Sequence, residues 1–408
     1  MTSKKKELLQ YTSAHGFMPQ EEMLEKQRSN TQLKIGLPKD RANDEKRVVL
    51  IPESVELLVR NGHKVMVEHN AGIGAFYTDH EYSEAGAEIK YDPREVYKAD
   101  IVLKVAAPNN EELEYLDGRK VLMSSLHWKD HKSDFYRQLL AKKLTAFAFE
   151  KIQDKNGVFP VIRSMSEIAG NTSVLVAAEY LSSTEYGRGS IFGGFSGIAP
   201  TDVVVIGAGT VGEFATRSAL GMGAQVKVFD NDVGRLRRIQ EMQNQRIYTS
   251  IIQPKRLAKA LETADVVIGA LRPIDGMTPV VVSEEMVQNM KKGAVIIDVS
   301  IDHGGCFETS EPTTHKAPVF QKYNVTHYCV PNMPSRAPQT ASISLSNFFA
   351  PILLSISENG GVDEVLKKDY GFRKGVYLYK GILTDKNIAR RFQFSFQDID
   401  LLIAAFHK

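Results

Sequence analysis

The sequence predicts an α/β protein with two parallel-sheet domains, a cleft between them and a discontinuous first domain. Three observations predict it. Apolar runs of strand length alternate with helix-like segments along most of the chain, the pattern of a parallel sheet covered on both faces. One such run, Val203 to Ile206, feeds straight into the GxGxxG turn Gly207-Ala208-Gly209-Thr210-Val211-Gly212. A long segment of helical apolar spacing, Ala341 to Glu358, follows the last strand-like run and is expected to cross back to the first domain.

Taken in order, residues 1–33 are polar and read as an N-terminal extension, partly helical, of the kind that serves as an oligomer arm. Ile35 to Leu37 and Val48 to Ile51 read as strands, and Pro52 to Asn61 as a helix. Lys64 to Val67, Ile101 to Val105, Lys120 to Met123 and Thr145 to Phe149 are further strands, with the amphipathic Ser133 to Lys142 among the helices between them. A second block opens near Val161. After the GxGxxG unit it holds the strands Gln225 to Phe229, Val266 to Ala270, Ala294 to Val299 and Val325 to Val330. These unbroken apolar runs suit strands buried on both faces. The expected division is 34–160 plus 339–408 for a substrate and catalytic domain and 161–338 for a dinucleotide domain, both Rossmann-like. Helical spacing in Asp398 to His407 suggests packing against a neighbour.

The 408 residues are 43% hydrophobic and 25% charged, ordinary for a globular protein. A formal net charge of +2 gives no reason to expect nucleic acid or an acidic membrane surface. No apolar run is read as a membrane span of roughly 18–20 residues. No apolar signal-peptide stretch follows Lys4-Lys5-Lys6. Cys306 and Cys329 lie in no CxxC or Cys/His spacing, so they read as buried small apolar residues. No metal is expected, and a reducing cytoplasm is the expected compartment.

The GxGxxG unit has a physical reading. Gly207 permits the tight turn, Gly209 leaves room for a pyrophosphate, and Gly212 lets helix and strand pack closely. Thr210 and Val211 open a helix whose free N–H groups and dipole face the phosphates. Asp230, 18 residues beyond Gly212 at the end of the next strand, is placed to accept bonds from ribose hydroxyls and to repel a 2′-phosphate. NAD is therefore the expected cofactor rather than NADP.

Several blocks, in order and at matching spacing, carry a family resemblance. They are Ile35-Gly36-Leu37-Pro38-Lys39, Glu45-Lys46-Arg47-Val48, Asn70-Ala71-Gly72-Ile73-Gly74, Met165 to Gly170, the GxGxxG unit, Asp298 to Glu308, Pro312-Thr313-Thr314-His315, and His327 to Pro334. The chain resembles the alanine dehydrogenase family, which shares its fold with the NAD-binding subunit of proton-translocating transhydrogenase. The likeness spans about residues 34 to 355, and the tail beyond about residue 360 is read as outside the common pattern.

The resemblance implies roles that the residues themselves suit. Arg47 would hold the substrate carboxylate, since a guanidinium offers two parallel hydrogen bonds; its plain alternative is a surface salt bridge. His127 ends a parallel strand, where ligands bind in open α/β sheets, and would exchange the proton on the reacting carbon's oxygen. Asp302, before Gly304-Gly305, would activate water and orient the cofactor; its plain alternative is an Asx turn. Asn332 would contact the nicotinamide ribose, and Ser166, opening the segment before a long helix, a cofactor phosphate. Asp298, His131, His303, His315 and His327 read as structural or supporting.

One position departs from the family. Where alanine dehydrogenases carry Lys-Val-Lys, this chain has Lys104-Val105-Ala106-Ala107-Pro108, closer to the transhydrogenase pattern. The family's substrate-contacting lysine is Ala106. Lys104, which shares a strand face with Ala106, and Lys129 are candidate substitutes. The expected activity is NAD-dependent interconversion of L-alanine with pyruvate and ammonia. The alternatives are another amino or keto acid, or an NAD(H)-binding subunit without turnover. The resemblance also implies a homo-oligomer, often a hexamer.

Overall fold

The computed structural model describes residues 31–42, 44–127, 131–243, 246–272 and 276–406. The first sheet begins with β1 (Lys34–Leu37), β2 (Lys64–Glu68), β3 (Glu88–Lys90), β4 (Ile101–Ala106), β5 (Val121–Ser125) and β6 (Thr145–Ala148). All six run parallel, in the order β3-β2-β1-β4-β5-β6. The second sheet contains β7 (Asp202–Ile206), β8 (Gln225–Phe229), β9 (Tyr248–Ser250), β10 (Val266–Gly269), β11 (Val295–Asp298), β12 (Val319–Lys322) and β13 (Val325–Tyr328). Its parallel core repeats the same winding, β9-β8-β7-β10-β11-β13. Each sheet therefore reverses direction once, between β1 and β4 and between β7 and β10. Ligands bind outside the carboxyl ends of the strands at such a reversal.

One edge of each sheet is antiparallel. β12 lies antiparallel on β13. Late in the chain, β14 (Val376–Tyr379) and β15 (Ile382–Leu383) return antiparallel to extend the first sheet beyond β6. The tail read as outside the common pattern thus completes this sheet, and its last helix, Ile399–Phe406, packs Leu402 and Ile403 into the same core. Residues 1–30 of the expected extension lie outside the described residues; Thr31 is tied to Ser357 and Leu33 is buried.

Two long helices connect the sheets. Helix α1 (Pro52–Arg60) covers the first sheet, α2 (Pro160–Ser182) leaves it, α3 (Thr210–Gly221) follows the GxGxxG turn, and α4 (Pro338–Glu358) returns. With 21 residues and a mean hydropathy of 1.3, α4 is long and apolar enough to cross a bilayer, contrary to the reading of the sequence. Its buried face, Leu345, Phe349, Leu353 and Ile356, belongs to the core around β1 and β2, which is the setting of a core helix.

The run Val48 to Ile51 is fully buried but is not a strand, a correction to the sequence reading. Buried amides need partners, and here α4 supplies them. Ser342 Oγ accepts from the Val48 N–H at 2.9 Å and donates to the Pro338 carbonyl, and Ser346 Oγ accepts from the Ile51 N–H at 3.1 Å. These bonds seat the long connection 38–51 against α4. We predict that Ser342→Ala, which strands the Val48 N–H, lowers unfolding stability by about 1–3 kcal/mol in urea denaturation.

Candidate active site

At the reversal of the second sheet, the three glycines do distinct work. Gly207 has φ +111°, and a Cβ there would meet the Ala270 carbonyl at 2.3 Å. A Cβ on Gly212 would lie 1.8 Å from the Gly207 carbonyl. Gly209 caps α3 in extended conformation and has open space where its Cβ would be, so it leaves the approach to the Thr210 and Val211 end of the helix clear. This is a cradle that a side chain would fill and a pyrophosphate fits. Asp230 is buried and braces the turn: Oδ2 accepts from the Ala208 N–H at 2.6 Å and Oδ1 from the Asp232 N–H at 2.7 Å. Each oxygen keeps acceptor capacity for a hydroxyl. Ser166 lies inside α2 rather than before it. It sits one turn from Gly170, whose missing Cβ would lie 2.5 Å from the Val211 carbonyl, so its face of α2 borders the same turn.

At the reversal of the first sheet sits a carboxylate that sequence reasoning passed over. Asp40 follows β1, and its Oδ2 accepts from the N–H groups of Val105 and Ala106 on β4, at 3.1 and 3.0 Å. Burial pushes this carboxyl up to about 6, against the pull of Lys104 and the Ala106 amide. Lys104 does not lean toward a substrate, a correction to the expectation. Its ammonium is buried between the two oxygens of Glu112, both at 2.8 Å, with Asp40 at 3.8 Å. The fit is physical: an ammonium that deep has a carboxylate beside it to offset its desolvation. Arg41 spans Glu68 and Glu112 and closes the cluster. Lys129 lies outside the described residues.

Loops from the C-terminal edges of both sheets meet at Arg47. Glu45 forks onto it, with Nε to Oε1 at 2.7 Å and Nη2 to Oε2 at 2.5 Å, and Nη1 touches the Met165 sulfur on α2 at 3.4 Å. Glu45 Oε2 also accepts from the Asn332 side-chain amide, after β13, at 3.2 Å, and the Asn332 backbone N–H donates to Asp302 Oδ1, after β11, at 2.8 Å. Burial opposes the ionised form of Glu45; the Arg47 charge and hydrogen bonds, with Asn332, outweigh it and hold the carboxyl below its ordinary value. The structure thus brings Arg47, Asn332 and Asp302 together, through an acid not singled out in the sequence. Asn332 reaches both partners from the left-handed region, φ +55°.

Asp302 is exposed, in a 3-10 turn held from below by Asp298. The Asp298 carboxylate accepts from the Ser300 and Cys306 N–H groups and the Ser310 hydroxyl, and burial pushes its pKa up. His127 lies two residues past Ser125, which pairs with Ala106 on β4. Its Nδ1 is 3.6 Å from Glu150 Oε1, a buried acid that also accepts from the Leu126 N–H. Glu150, like Glu45 and Asp40, was missed; an acid two residues from the arginine was the available signal for Glu45. His327 is buried between Thr309 and the Val325 carbonyl, and desolvation pulls it down to about 4. His315 bonds Ser335, and His131 stacks on Phe135. Cys306 and Cys329 are buried free thiols. Among the described residues no group of three or more His, Cys, Asp or Glu is arranged to hold a metal ion.

The fold and site define a two-domain α/β protein in which a dinucleotide turn accompanies a guanidinium, carboxylates and an imidazole at strand ends. The family description "Alanine dehydrogenase/PNT, N-terminal domain" matches residues 36–169 and "Alanine dehydrogenase/PNT, C-terminal domain" residues 173–386. Alanine dehydrogenase 2 of Staphylococcus aureus (strain USA300) is 37% identical over 369 residues, 90% of this chain and 99% of that protein. A solved L-alanine dehydrogenase superposes with a TM-score of 0.83 at 35% identity, covering 88% of this chain and 99% of its own. A transhydrogenase from Sinorhizobium meliloti, at 23% identity and a TM-score of 0.74, shares the fold. The chain belongs to the alanine dehydrogenase/PNT family. The likeness runs past residue 360, which corrects the shorter span read from the sequence.

Two predictions follow from the geometry of the reversals. Gly209→Ala should fold with an unchanged melting temperature yet bind NADH about tenfold or more weakly, because its methyl enters only the phosphate approach. Gly212→Ala should lose melting temperature and binding together; equal behaviour of the two in calorimetry and fluorescence titration would refute the distinction. Asp40 is raised from 3.8 to about 6 when folded, so its contribution is full below 3.8 and is lost as pH rises through 6. The groups facing it are Lys104, Glu112, Glu45 and Arg47. Asp40→Asn should therefore gain stability relative to the parent protein as pH rises across that window, read as the difference in urea midpoints.

Proposed function

We propose that this protein interconverts L-alanine with pyruvate and ammonia, using NAD. The observation that carries the reading is the joining of Arg47 to Asn332 and Asp302 through Glu45, loops from the strand ends of both sheets. Near full-length likeness to alanine dehydrogenases supports it. NAD supplies the hydride acceptor and donor. Gly207, Gly209, Thr210, Val211 and Gly212 would receive its pyrophosphate, Asp230 its adenosine ribose and Asn332 its nicotinamide ribose, and Ser166 would border the phosphates.

Arg47 binds the substrate carboxylate. His127, oriented by Glu150, takes the proton from the carbinolamine oxygen and returns it in reverse. Asp302 positions the water or ammonia that adds to the reacting carbon. Closure of the two domains excludes water from the hydride transfer. The protein works in the cytoplasm as a homo-oligomer, a hexamer by family likeness. Exposed Ile191, Phe195 and Ile198, on the arm after α2, are apolar surface suited to a second copy.

The test is an NADH-coupled assay against a panel of amino acids and keto acids with ammonia. Alanine and pyruvate should turn over, and His127→Asn should lower kcat by about 100-fold or more with NADH affinity kept. Tight NADH binding without turnover of any acid would instead favour a binding subunit. Turnover of a different acid would move the substrate and keep the chemistry.

A further inference from the structure

Arginine offers a carboxylate two edges, the side formed by Nε and Nη2 and the end formed by Nη1 and Nη2. In this protein the side edge of Arg47 is taken. Glu45 holds Nε and Nη2 through one oxygen each, and its Oε1 accepts from the Arg47 backbone N–H as well, at 3.0 Å. The pair is buried, with side-chain exposures of 10% and 5%, so the guanidinium has little freedom to turn another edge outward. Among the described residues, the end edge meets a soft neighbour at Nη1, the thioether of Met165 at 3.4 Å, a weak acceptor that a carboxylate displaces.

Glu45 has a second attachment. Its Oε2 takes the Asn332 amide, and the Asn332 backbone holds Asp302. Asn332 stands in a left-handed conformation with both bonds made, so a shift of the Glu45 carboxylate is passed to the loop beside Asp302.

We propose that Glu45 is a positioning residue that assigns the Nη1–Nη2 end of Arg47 to the substrate carboxylate and fixes that seat relative to Asp302 through Asn332. The proposal rests on the reading that this site binds a small amino or keto acid. A substrate then docks end-on to Arg47, against Met165, with its reacting carbon pointed away from Glu45. Glu45→Gln keeps the size of the side chain, but its amide nitrogen opposes an Arg47 N–H or the Asn332 amide in either orientation. Glu45→Asp keeps the charge but shortens the reach, so Arg47 and Asn332 cannot both be held.

The experiment titrates pyruvate into NADH-loaded wild type, Glu45→Gln and Glu45→Asp, and measures the KM values for alanine and NAD separately. The Gln variant is expected to weaken pyruvate binding and raise the alanine KM about tenfold or more, with NADH affinity within about twofold of wild type. The Asp variant should keep a larger share of pyruvate affinity than the Gln variant while losing kcat. Unchanged pyruvate affinity in both variants overturns the proposal, as does a parallel loss of NADH affinity and melting temperature, which marks a merely structural pair. Should the Gln variant not fold, the Asp variant decides by the same two titrations. If wild type binds another keto acid in place of pyruvate, the substrate assignment fails and Glu45 is tested on that acid.

Discussion

One carboxylate, Glu45, joins the two halves of the site. It is bonded at once to Arg47, which projects from the connection after β1, and to Asn332, which follows β13. Glu45 and Asn332 lie 287 positions apart in sequence, and only the meeting of two sheet edges makes their contact. Removing Arg47 or Glu45 would leave the other's charge without its partner, a far larger penalty than any surface pair carries. The rest of the architecture serves to hold those two edges in register: α2 brings Met165 to the guanidinium, and α4 pins residues 48–51 through its serines.

The two sheets solve one problem in two ways. Each winds in the same order, so each exposes a gap where its strand order reverses. In the second sheet the gap after β7 is lined by glycine, and backbone approaches backbone so closely that no Cβ fits at Gly207 or Gly212. Its chemistry is that of bare N–H groups and a helix end. In the first sheet the gap is bridged by a side chain, with Asp40 laid across the last amides of β4. One reversal leaves open space at a helix end, and the other anchors a loop that carries charge.

The dinucleotide turn was legible because everything that defines it is local: strand, glycines, helix and acid lie within one short stretch. The parallel strands were legible for the same reason, as each apolar run is its own signal. Val48 to Ile51 misled because its partners are serines 294 and 295 positions away, and an apolar run does not say who satisfies its amides. Lys104 misled differently. Alternation along β4 was read as placing it on the face of Ala106, but the pairing of β4 with β5 shifts register between Leu103 and Ala106, and alternation says nothing of Glu112, which waits on the helix after β4. Glu45, Glu150 and Asp40 escaped notice because an acid's role depends on which cation or amide tertiary structure delivers to it. The edge strands β14 and β15 are short and antiparallel, and carry little periodic signal.

The cluster of Glu68, Glu112, Lys104 and Asp40, capped at the surface by Arg41, has a purpose that stability does not explain. Buried ion pairs return little net free energy after desolvation, and a core of packed aliphatic side chains would serve a sheet as well. What the cluster secures is position. Lys104 and the β4 amides hold Asp40, Glu68 holds the Lys39 N–H, and Arg41 is clamped by two acids. Three consecutive residues after β1 are thereby fixed by directional bonds. The connection that carries Glu45 and Arg47 starts from that anchored point and ends on the serines of α4. A loop held at both ends presents the Arg47 guanidinium in one fixed orientation.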